Sequence, residues 1–283
     1  IEAQFAPPVA PAAPAPPPPD VATVLSNYRP LTDDPGGDHW DARPSPDGRL
    51  LAYVYRPFDD LNRTDIRVLH LETGQTHTLA GTSKERNWSP RWSPDGEWLA
   101  FLSQRSGFNE AWLARPNGEG LRQLTHAGRD AGDLAWAPGG ARLACTVNRD
   151  GAFDLALVDA ATGNLTDLRA GLGYYSNPRW TPEGDALTVE YEDPLRPPDI
   201  YRVVVPSGIS TPLTFSQLPG LARLPLFIPE RISYRSFDGL EIPAFLYRPA
   251  QPNGAAVVYP HGGPSSLYTF GWDIFAQYLV AKG

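Results

Sequence analysis

The 283-residue sequence has one cysteine, two lysines and no methionine. A single cysteine, Cys145, excludes an internal disulfide framework and any zinc site built from several cysteines. The 24 basic residues face 32 acidic ones, and the formal net charge of −8 argues against the basic face that a nucleic-acid-binding protein needs. No apolar run is long enough for a membrane-spanning helix. Because even position 1 is not methionine, we expect the native polypeptide to be longer.

Proline and glycine are abundant, with 32 and 26 copies, which favours short strands joined by turns over long helices. Eight of the prolines and six alanines fall in residues 1–20. That composition cannot bury a core and prefers an extended polyproline geometry, so we predict a tether there. We interpret residues 21–39 as a segment that leads into the repeats. The tether favours a periplasmic or secreted protein over a cytoplasmic one.

A turn motif of the Pro-Asp-Gly type recurs four times. Its copies lie at residues 45–48, 93–96, 137–140 and 181–184, and successive prolines are 48, 44 and 44 residues apart. A tryptophan stands two residues before the proline in three copies: Trp92, Trp136 and Trp180. Serine or threonine at the first position, proline at the second and glycine at the exit predict a tight turn between two strands.

Each turn is followed by a strand pattern with two different faces. The fifth position after the proline is leucine in every copy: Leu51, Leu99, Leu143 and Leu187. The seventh position is also apolar: Tyr53, Phe101, Cys145 and Val189. The sixth position, between them, is small: Ala52, Ala100, Ala144 and Thr188. Large side chains on one face and small ones on the other suit a sheet packed between two neighbouring sheets. A further turn follows at Gly74, Gly118, Gly163 or Gly208. Units of about 45 residues with this pattern predict β-propeller blades over residues 40–215.

The conspicuous side chains within the repeats are interpreted as structural. Asp47 and Asp95 are predicted to be turn residues because no second carboxylate recurs at metal-ligand spacing. The tryptophans are predicted to pack between strands, and Cys145 to be an unreactive core residue. We predict no cofactor and no metal site.

After a linker at residues 216–230, the pattern changes. Residues 232–247 predict a strand, a tight turn and a second strand, and residues 255–259 predict a short strand buried on both faces. His261, Gly262, Gly263 and Pro264 follow directly. Apolar residues from Trp272 to Leu279 then have helical spacing, and Gly283 stands where a helix would end. This order predicts the beginning of an α/β-hydrolase domain over residues 231–283.

The glycine pair predicts an oxyanion-binding loop. Acyl transfer places negative charge on the carbonyl oxygen, and preorganised backbone N–H groups stabilise that charge. Glycine lets the backbone approach closely in the required conformation, and His-Gly-Gly after an apolar strand is the arrangement described for lipases and esterases. His261 is predicted to fix the loop and not to act as the general base, because hydrolase triads run nucleophile, acid, histidine along the chain.

Together the repeats, residues 236–243 and the His-Gly-Gly-Pro motif resemble the prolyl oligopeptidase family of serine peptidases, especially its acylaminoacyl-peptidase branch. The resemblance covers residues 40–283. It implies a mainly β chain, a β-propeller followed by the start of an α/β-hydrolase domain, with a propeller that admits only peptides and a Ser-Asp-His triad. Only Gly263, with Gly262 beside it, maps onto a functional position, as a backbone oxyanion donor. The implied partners are a peptide substrate and the remainder of the catalytic domain in the same or a second chain, with a homo-oligomer as a further option.

Three departures from that family pattern leave alternatives open. No G-x-S-x-G motif occurs, so the triad is absent from this sequence and the chain alone is expected to be inactive. Four repeats are fewer than the seven or eight blades usual in the family. The acidic pair with which dipeptidyl-peptidase relatives hold the substrate amino terminus has no clear counterpart. The acidic run at residues 190–193 resembles it only weakly, and we interpret this run as a solvated loop. A non-catalytic binding propeller, as in the Tol system, and an esterase of the same hydrolase fold are the alternatives. Residues 231–283 are expected to be stable only beside the missing part of the catalytic domain.

Overall fold

The computed structural model describes residues 29–32, 34–81, 84–216, 220, 225–263 and 266–283. The tether predicted for residues 1–20 and the proline of the His-Gly-Gly-Pro motif lie outside these ranges. Gly36–Gly283 forms one compact unit, which contains the repeats and the segment that follows them.

The repeats form four antiparallel units of four strands each, here called blades 1 to 4, and a single parallel pair, Phe153 with Tyr174, joins blades 3 and 4 into one eight-stranded sheet. Blade 1 contains β1 (Gly37–Pro44), β2 (Leu50–Pro57), β3 (Asp65–His70) and β4 (Thr76–Ala80); blade 2 contains β5 (Asn87–Trp92), β6 (Leu99–Ser103), β7 (Glu110–Ala114) and β8 (Arg122–Gln123). Blade 3 contains β9 (Ala131–Trp136), β10 (Arg142–Arg149), β11 (Ala152–Asp159) and β12 (Leu165–Arg169); blade 4 contains β13 (Tyr174–Trp180), β14 (Ala186–Asp193), β15 (Arg196–Val204) and β16 (Ser210–Pro212). The prediction of four propeller blades is confirmed.

The first strands of successive blades contact one another and form the inner edge of the array. Each of these strands carries a bulge, where the register of pairing with the second strand shifts. A non-glycine residue with a positive φ lies within or beside each bulge: Asp41, Ser89, Asp133 and Asn177. These residues are 48, 44 and 44 positions apart, so the bulge is part of the repeat. A bulge bends its strand and re-aims the side chains that follow it.

The turn between the first and second strands of each blade, called the first turn, has the predicted chemistry. In blade 1 the Gly48 N–H donates to the Ser45 carbonyl at 2.9 Å, and the Ser45 hydroxyl donates to the Asp47 carboxylate at 2.6 Å. Asp95 makes the same contact with Ser93 in blade 2, at 2.5 Å. These hydroxyl bonds lower the pKa of both carboxyls. The role of the two aspartates as turn residues is confirmed.

Blades pack through unlike faces, as the alternation of large and small residues predicts. Ala52 and Val54 of blade 1 share a fully buried cluster with Leu99 and Phe101 of blade 2. The same relation recurs at the next two interfaces. Between blades 2 and 3, Ala100 and Leu102 pack with Leu143 and Cys145. Between blades 3 and 4, Ala144 and Leu155 pack with Leu187 and Val189. Burial of this apolar surface is the main stabilising contribution to the array. The core therefore consists of layers between blades.

The tryptophans before the first turns connect neighbouring blades. The Trp92 indole N–H donates to the Arg43 carbonyl at 2.8 Å, and the Trp136 indole donates to the Arg91 carbonyl at 3.0 Å. Trp180 repeats the contact with Ala135 at 3.0 Å. Each indole thus satisfies a main-chain acceptor on the first strand of the preceding blade. Their predicted structural role is confirmed, and the hydrogen bond explains why the residue is tryptophan.

The third strand of each blade carries an acidic residue among its first four positions. These residues are Asp65, Glu110, Asp154 and Asp199, spaced 45, 44 and 45 positions apart. Glu110 is buried; it accepts the Thr125 hydroxyl at 2.5 Å and the Gly128 N–H at 2.9 Å. Asp154 accepts the Gly171 N–H at 3.1 Å, and Asp199 accepts the Thr214 hydroxyl at 2.7 Å. In blades 2 to 4 this carboxylate therefore anchors the connection that leads out of the blade.

The turn between the third and fourth strands, called the third turn, needs its glycine. Gly163 has a φ of +75°, and a Cβ built there would collide with the main-chain oxygen of Leu124 in the preceding blade. Gly208 has a φ of +69° and faces the Leu168 oxygen in the same way. Only glycine avoids both the left-handed strain and the collision.

The segment after blade 4, called the tail, contains β17 (Glu230–Arg235), β18 (Glu241–Leu246) and α1 (Ile274–Ala281). The predicted hairpin and helix are confirmed, and Gly283 follows the C-cap of α1 with a φ of +88°. The prediction of a buried strand at residues 255–259 is wrong: these residues are irregular, and Val258 is 88% exposed. A central strand needs hydrogen-bonding neighbours on both edges, and no strand of the described chain pairs with this run. Within the described ranges, no helix is both long and apolar enough to cross a membrane.

Candidate functional site

The tail docks on one end of blades 3 and 4. The Phe270 N–H donates to the Gly151 carbonyl at 2.7 Å, and Gly151 lies in the turn between the second and third strands of blade 3, here called the second turn. The Gln277 amide N–H donates to the Pro194 carbonyl of the corresponding turn in blade 4, at 2.8 Å. Gln277 is only 3% exposed, and its side chain also bonds both main-chain groups of Phe227. A buried amide with all these partners fixes the orientation of α1 on the blades.

Acidic residues of blade 4 contribute to the same contact. Burial raises the pKa of Glu192, and a hydrogen bond from the Trp272 main-chain N–H partly opposes that shift. Asp193 is 6% exposed and pairs with Arg196 at 2.6 Å. The interpretation of residues 190–193 as a solvated loop is wrong, because they belong to β14 and lie partly beneath the tail. The sequence run contains only one large apolar residue, Tyr191, which explains the error.

The two glycines of the predicted oxyanion loop lie in an exposed bend of the tail. Gly263 has a φ of +121°, a conformation that favours glycine. A ring nitrogen of His261, Nδ1, lies 3.0 Å from the Gly262 carbonyl oxygen, and the ring centroids of His261 and Tyr268 are 6.2 Å apart. Tyr259 contacts both Tyr268 and Phe275 of α1, with ring centroids 5.6 and 5.4 Å apart. The loop is thus placed beside the start of the helix, and its role as an oxyanion donor stays a prediction.

Cys145 is fully buried between blades 2 and 3. Burial raises the pKa of its thiol to about 12, so the thiolate that reacts with electrophiles is scarce at neutral pH. Its interpretation as a core residue is confirmed, and its lack of reactivity stays a prediction.

A second candidate site, which the sequence analysis missed, lies at the inner edge of the array. It is a cavity of about 500 Å³, here called the arginine cavity. Three guanidinium groups and apolar walls line it; the residues are Arg43, Arg91 and Arg179, with Trp92, Trp136, Trp180, Leu134, Ala135, Pro44, Pro94, Pro138, Pro182 and Thr181. Among these described lining residues none is acidic. The arginines could have been found in the sequence, since each follows its bulge residue by two positions.

The arginines differ in how they are paired. The Arg43 Nη2 lies 2.5 Å and the Arg91 Nη1 lies 3.4 Å from carboxylate oxygens of Asp41. Burial lowers the pKa of Arg91; Asp41 opposes that shift, whereas the positive charges of Arg43 and Arg179 add to it. The Arg179 Nη1 donates to the Pro178 carbonyl at 3.0 Å, and no ion pair of Arg179 is found within the described ranges. The Asp41 carboxylate therefore pairs with two of the three guanidinium groups.

The arginine cavity and the tail lie at opposite ends of the blades. In blade 3, β10 connects the first turn, which includes the cavity residue Pro138, to the second turn, which includes Gly151. An antiparallel blade places these two turns at opposite ends of its strands. Gly151 contacts the tail, so the cavity opens at the end away from it.

Comparison with known proteins supports this architecture. The model of the TolB beta propeller domain family, PD40, matches residues 41–190. Dipeptidyl-peptidase 5 of Porphyromonas gingivalis is 23% identical over 249 residues, which is 81% of this chain and 36% of that protein. The acylamino-acid-releasing enzyme of Sus scrofa is 27% identical over 143 residues, which is 46% of this chain and 20% of the enzyme.

Among solved structures, a puromycin-hydrolyzing peptidase of Mycobacterium tuberculosis superposes with a TM-score of 0.72 and 24% identity. The match covers 87% of this chain and 40% of that peptidase. The chain thus spans well under half the length of each of these three proteins. The resemblance to peptidases of the prolyl oligopeptidase family is confirmed at the level of relatives and fold. With more than half of its residues matched by the family model, the chain belongs to the TolB beta propeller domain family.

Proposed function

We propose that this chain is the propeller-bearing part of a serine peptidase that hydrolyses short peptides. The observation that carries the proposal is the tail, docked through Phe270 and Gln277 on one end of blades 3 and 4. The matches to dipeptidyl-peptidase 5 and to the puromycin-hydrolyzing peptidase extend over 81% and 87% of the chain, whereas the propeller family model ends at residue 190. A propeller that only binds a partner has no need of this hairpin, glycine loop and helix.

In the proposed enzyme the blades restrict access to the catalytic centre, so that only short or extended peptides enter. A serine on the remainder of the catalytic domain attacks the peptide carbonyl, and a histidine takes the serine proton and gives it to the departing amine, so that the C–N bond breaks and an acyl-enzyme forms. Water, deprotonated by the same histidine, then attacks the acyl-enzyme, which releases the carboxylic acid product and restores the serine hydroxyl. The Gly263 N–H, with Gly262 beside it, stabilises the oxyanion of each tetrahedral intermediate. The positive φ of Gly263 is the feature of this chain that suits the role.

A serine-directed fluorophosphonate probe tests the assignment of parts. The native full-length protein should be labelled and should cleave an N-acylated dipeptide, while the 283-residue chain alone should remain unlabelled. Labelling of the chain alone would refute the assignment, since the sequence has no serine in a G-x-S-x-G motif. Absence of both labelling and cleavage in the full-length protein would instead favour a non-catalytic binding propeller, the candidate that the TolB family match supports.

The oxyanion role of Gly263 has its own test in the full-length protein. Gly263→Ala forces a side chain onto a φ of +121° and displaces the donor, so kcat should fall about a hundredfold with little change in KM. Gly139→Ala is the matched control, because nothing lies within 4 Å of a Cβ built there. Equal kcat values for the two variants would remove Gly263 from the oxyanion hole.

A further inference from the structure

We propose that the arginine cavity is a binding site for carboxylate groups of peptides. Three guanidinium groups converge on one cavity of about 500 Å³, which is within the usual size range of ligand sites. Within the described ranges, the ion pairs of these arginines are those of Arg43 and Arg91 with Asp41. The site thus has an excess of positive charge in a chain whose net charge is −8. Guanidinium groups bind carboxylates through short, charge-assisted hydrogen bonds, often two at a time.

Arg179 is the lining arginine for which no carboxylate partner is found within the described ranges. Its described polar contact is with the neighbouring Pro178 carbonyl, and its side chain is exposed at the cavity wall. Arg91 is held rigidly, because its Nη1 also donates to the Pro90 carbonyl at 2.8 Å. Arg91, which also contacts Asp41, and Arg179, which has no ion pair within the described ranges, thus line one cavity as a held donor and a more adaptable one.

The walls indicate a peptide as the carrier of the carboxylate. Indole and proline side chains alternate with the arginines, which suits an amphipathic chain better than a bare inorganic anion. The overall negative charge disfavours long polyanions such as nucleic acids, because they would be repelled outside the cavity. The carboxylate comes from acidic side chains or from a free carboxyl terminus, and the experiment separates these two sources.

Isothermal titration calorimetry with the 283-residue chain tests the inference. The probes are tetraglutamate blocked at both ends, N-acetylated tetraalanine with a free carboxyl terminus, and tetraglutamine blocked at both ends. We expect one or both carboxylate peptides to bind and tetraglutamine not to bind. Binding should be tighter at about 0.01 M than at about 0.15 M salt, because the Debye length falls from about 30 to about 8 Å. Binding of tetraglutamate alone assigns the source to acidic side chains, and binding of tetraalanine alone assigns it to the terminus.

Two variants make the test specific to the cavity. Arg179→Gln removes one charge-assisted donor and should weaken binding about tenfold. Arg49→Gln is the matched control: Arg49 lies on the exposed first turn of blade 1, outside the cavity, and should leave the affinity within about twofold. Arg91→Gln should weaken binding as well, with thermal unfolding as the check that the chain still folds.

Equal affinities for the wild type and Arg179→Gln would overturn the inference. So would tetraglutamine binding as tightly as tetraglutamate, or no binding by any peptide at low salt. The inference does not depend on the proposed peptidase function, because the assay measures binding alone. Its failure would leave the fluorophosphonate result unaffected, and loss of peptidase activity would leave the calorimetry unaffected.

Discussion

Glu110 offers the sharpest test of how the blades are held together. Its carboxylate is buried and accepts two hydrogen bonds, from the Thr125 hydroxyl and the Gly128 N–H. Hydrogen bonds to charged groups contribute about 1.5–3 kcal/mol each, so Glu110→Ala should lower the free energy of unfolding by about 3–5 kcal/mol. Glu110→Gln keeps one acceptor oxygen and the shape of the side chain, and should cost about 1–2 kcal/mol.

Urea unfolding followed by tryptophan fluorescence measures these differences. Glu97→Ala is the control, because the Glu97 side chain is 62% exposed and its ion pair with Arg115 lies at the surface, where such pairs contribute less than about 1 kcal/mol. Repeat arrays do not always unfold in one step, so amide hydrogen exchange at Gly128 should also be compared. The reasoning is refuted if Glu110→Ala and Glu97→Ala have the same midpoint and Gly128 exchanges at the wild-type rate.

Three further outcomes are expected. Gly163→Ala should lower the free energy of unfolding, measured in urea, by at least about 1–2 kcal/mol, because the φ of Gly163 is +75° and a Cβ would meet the main chain of the preceding blade. The control Gly139→Ala should change the free energy of unfolding by less than about 0.5 kcal/mol. Equal effects of the two substitutions would contradict the packing described at the third turn. Cys145, with a thiol pKa near 12 and no exposed surface, should resist iodoacetamide at pH 8 in the native protein and react after unfolding, as mass spectrometry would show. The Ser93 hydroxyl lowers the pKa of Asp95 in the folded protein. The stabilisation from this hydrogen bond is therefore complete above the unfolded-state pKa of about 3.9 and is lost as the pH falls through the lower folded-state pKa. The difference in stability between wild type and Ser93→Ala should be larger at pH 7 than at pH 3, and an equal difference at both pH values would argue against this role of the hydroxyl.

The sequence predicts the blades well because their determinants are local and repeated. The first turn needs only a few adjacent residues, such as Ser45, Asp47 and Gly48, and the two-faced strand needs only three. The packing of alanine faces on leucine faces could be inferred because side-chain alternation along a strand is a fixed geometric rule.

The rest could not be predicted because it depends on contacts between distant residues. The run at residues 255–259 has the composition of a buried strand, but strand formation requires pairing partners that no local pattern reveals. Arg91 and Arg179 are 88 positions apart in the sequence and meet only because the bulges of blades 2 and 4 aim them at one cavity. The partner of the Trp136 indole, a main-chain carbonyl 45 residues away, carries no sequence signal at all.

The contact between unlike faces gives the array a direction. The small-residue face of one blade fits the large-residue face of the next, as Ala144 fits Leu187, and two identical faces do not match. Such a head-to-tail interface is heterologous, so a twofold pairing cannot satisfy it, and an open series of blades presents a further surface of the same kind. Duplication of one unit in the gene would therefore extend the series without any change in its joints, and the rotation between successive blades sets the number at which a ring closes.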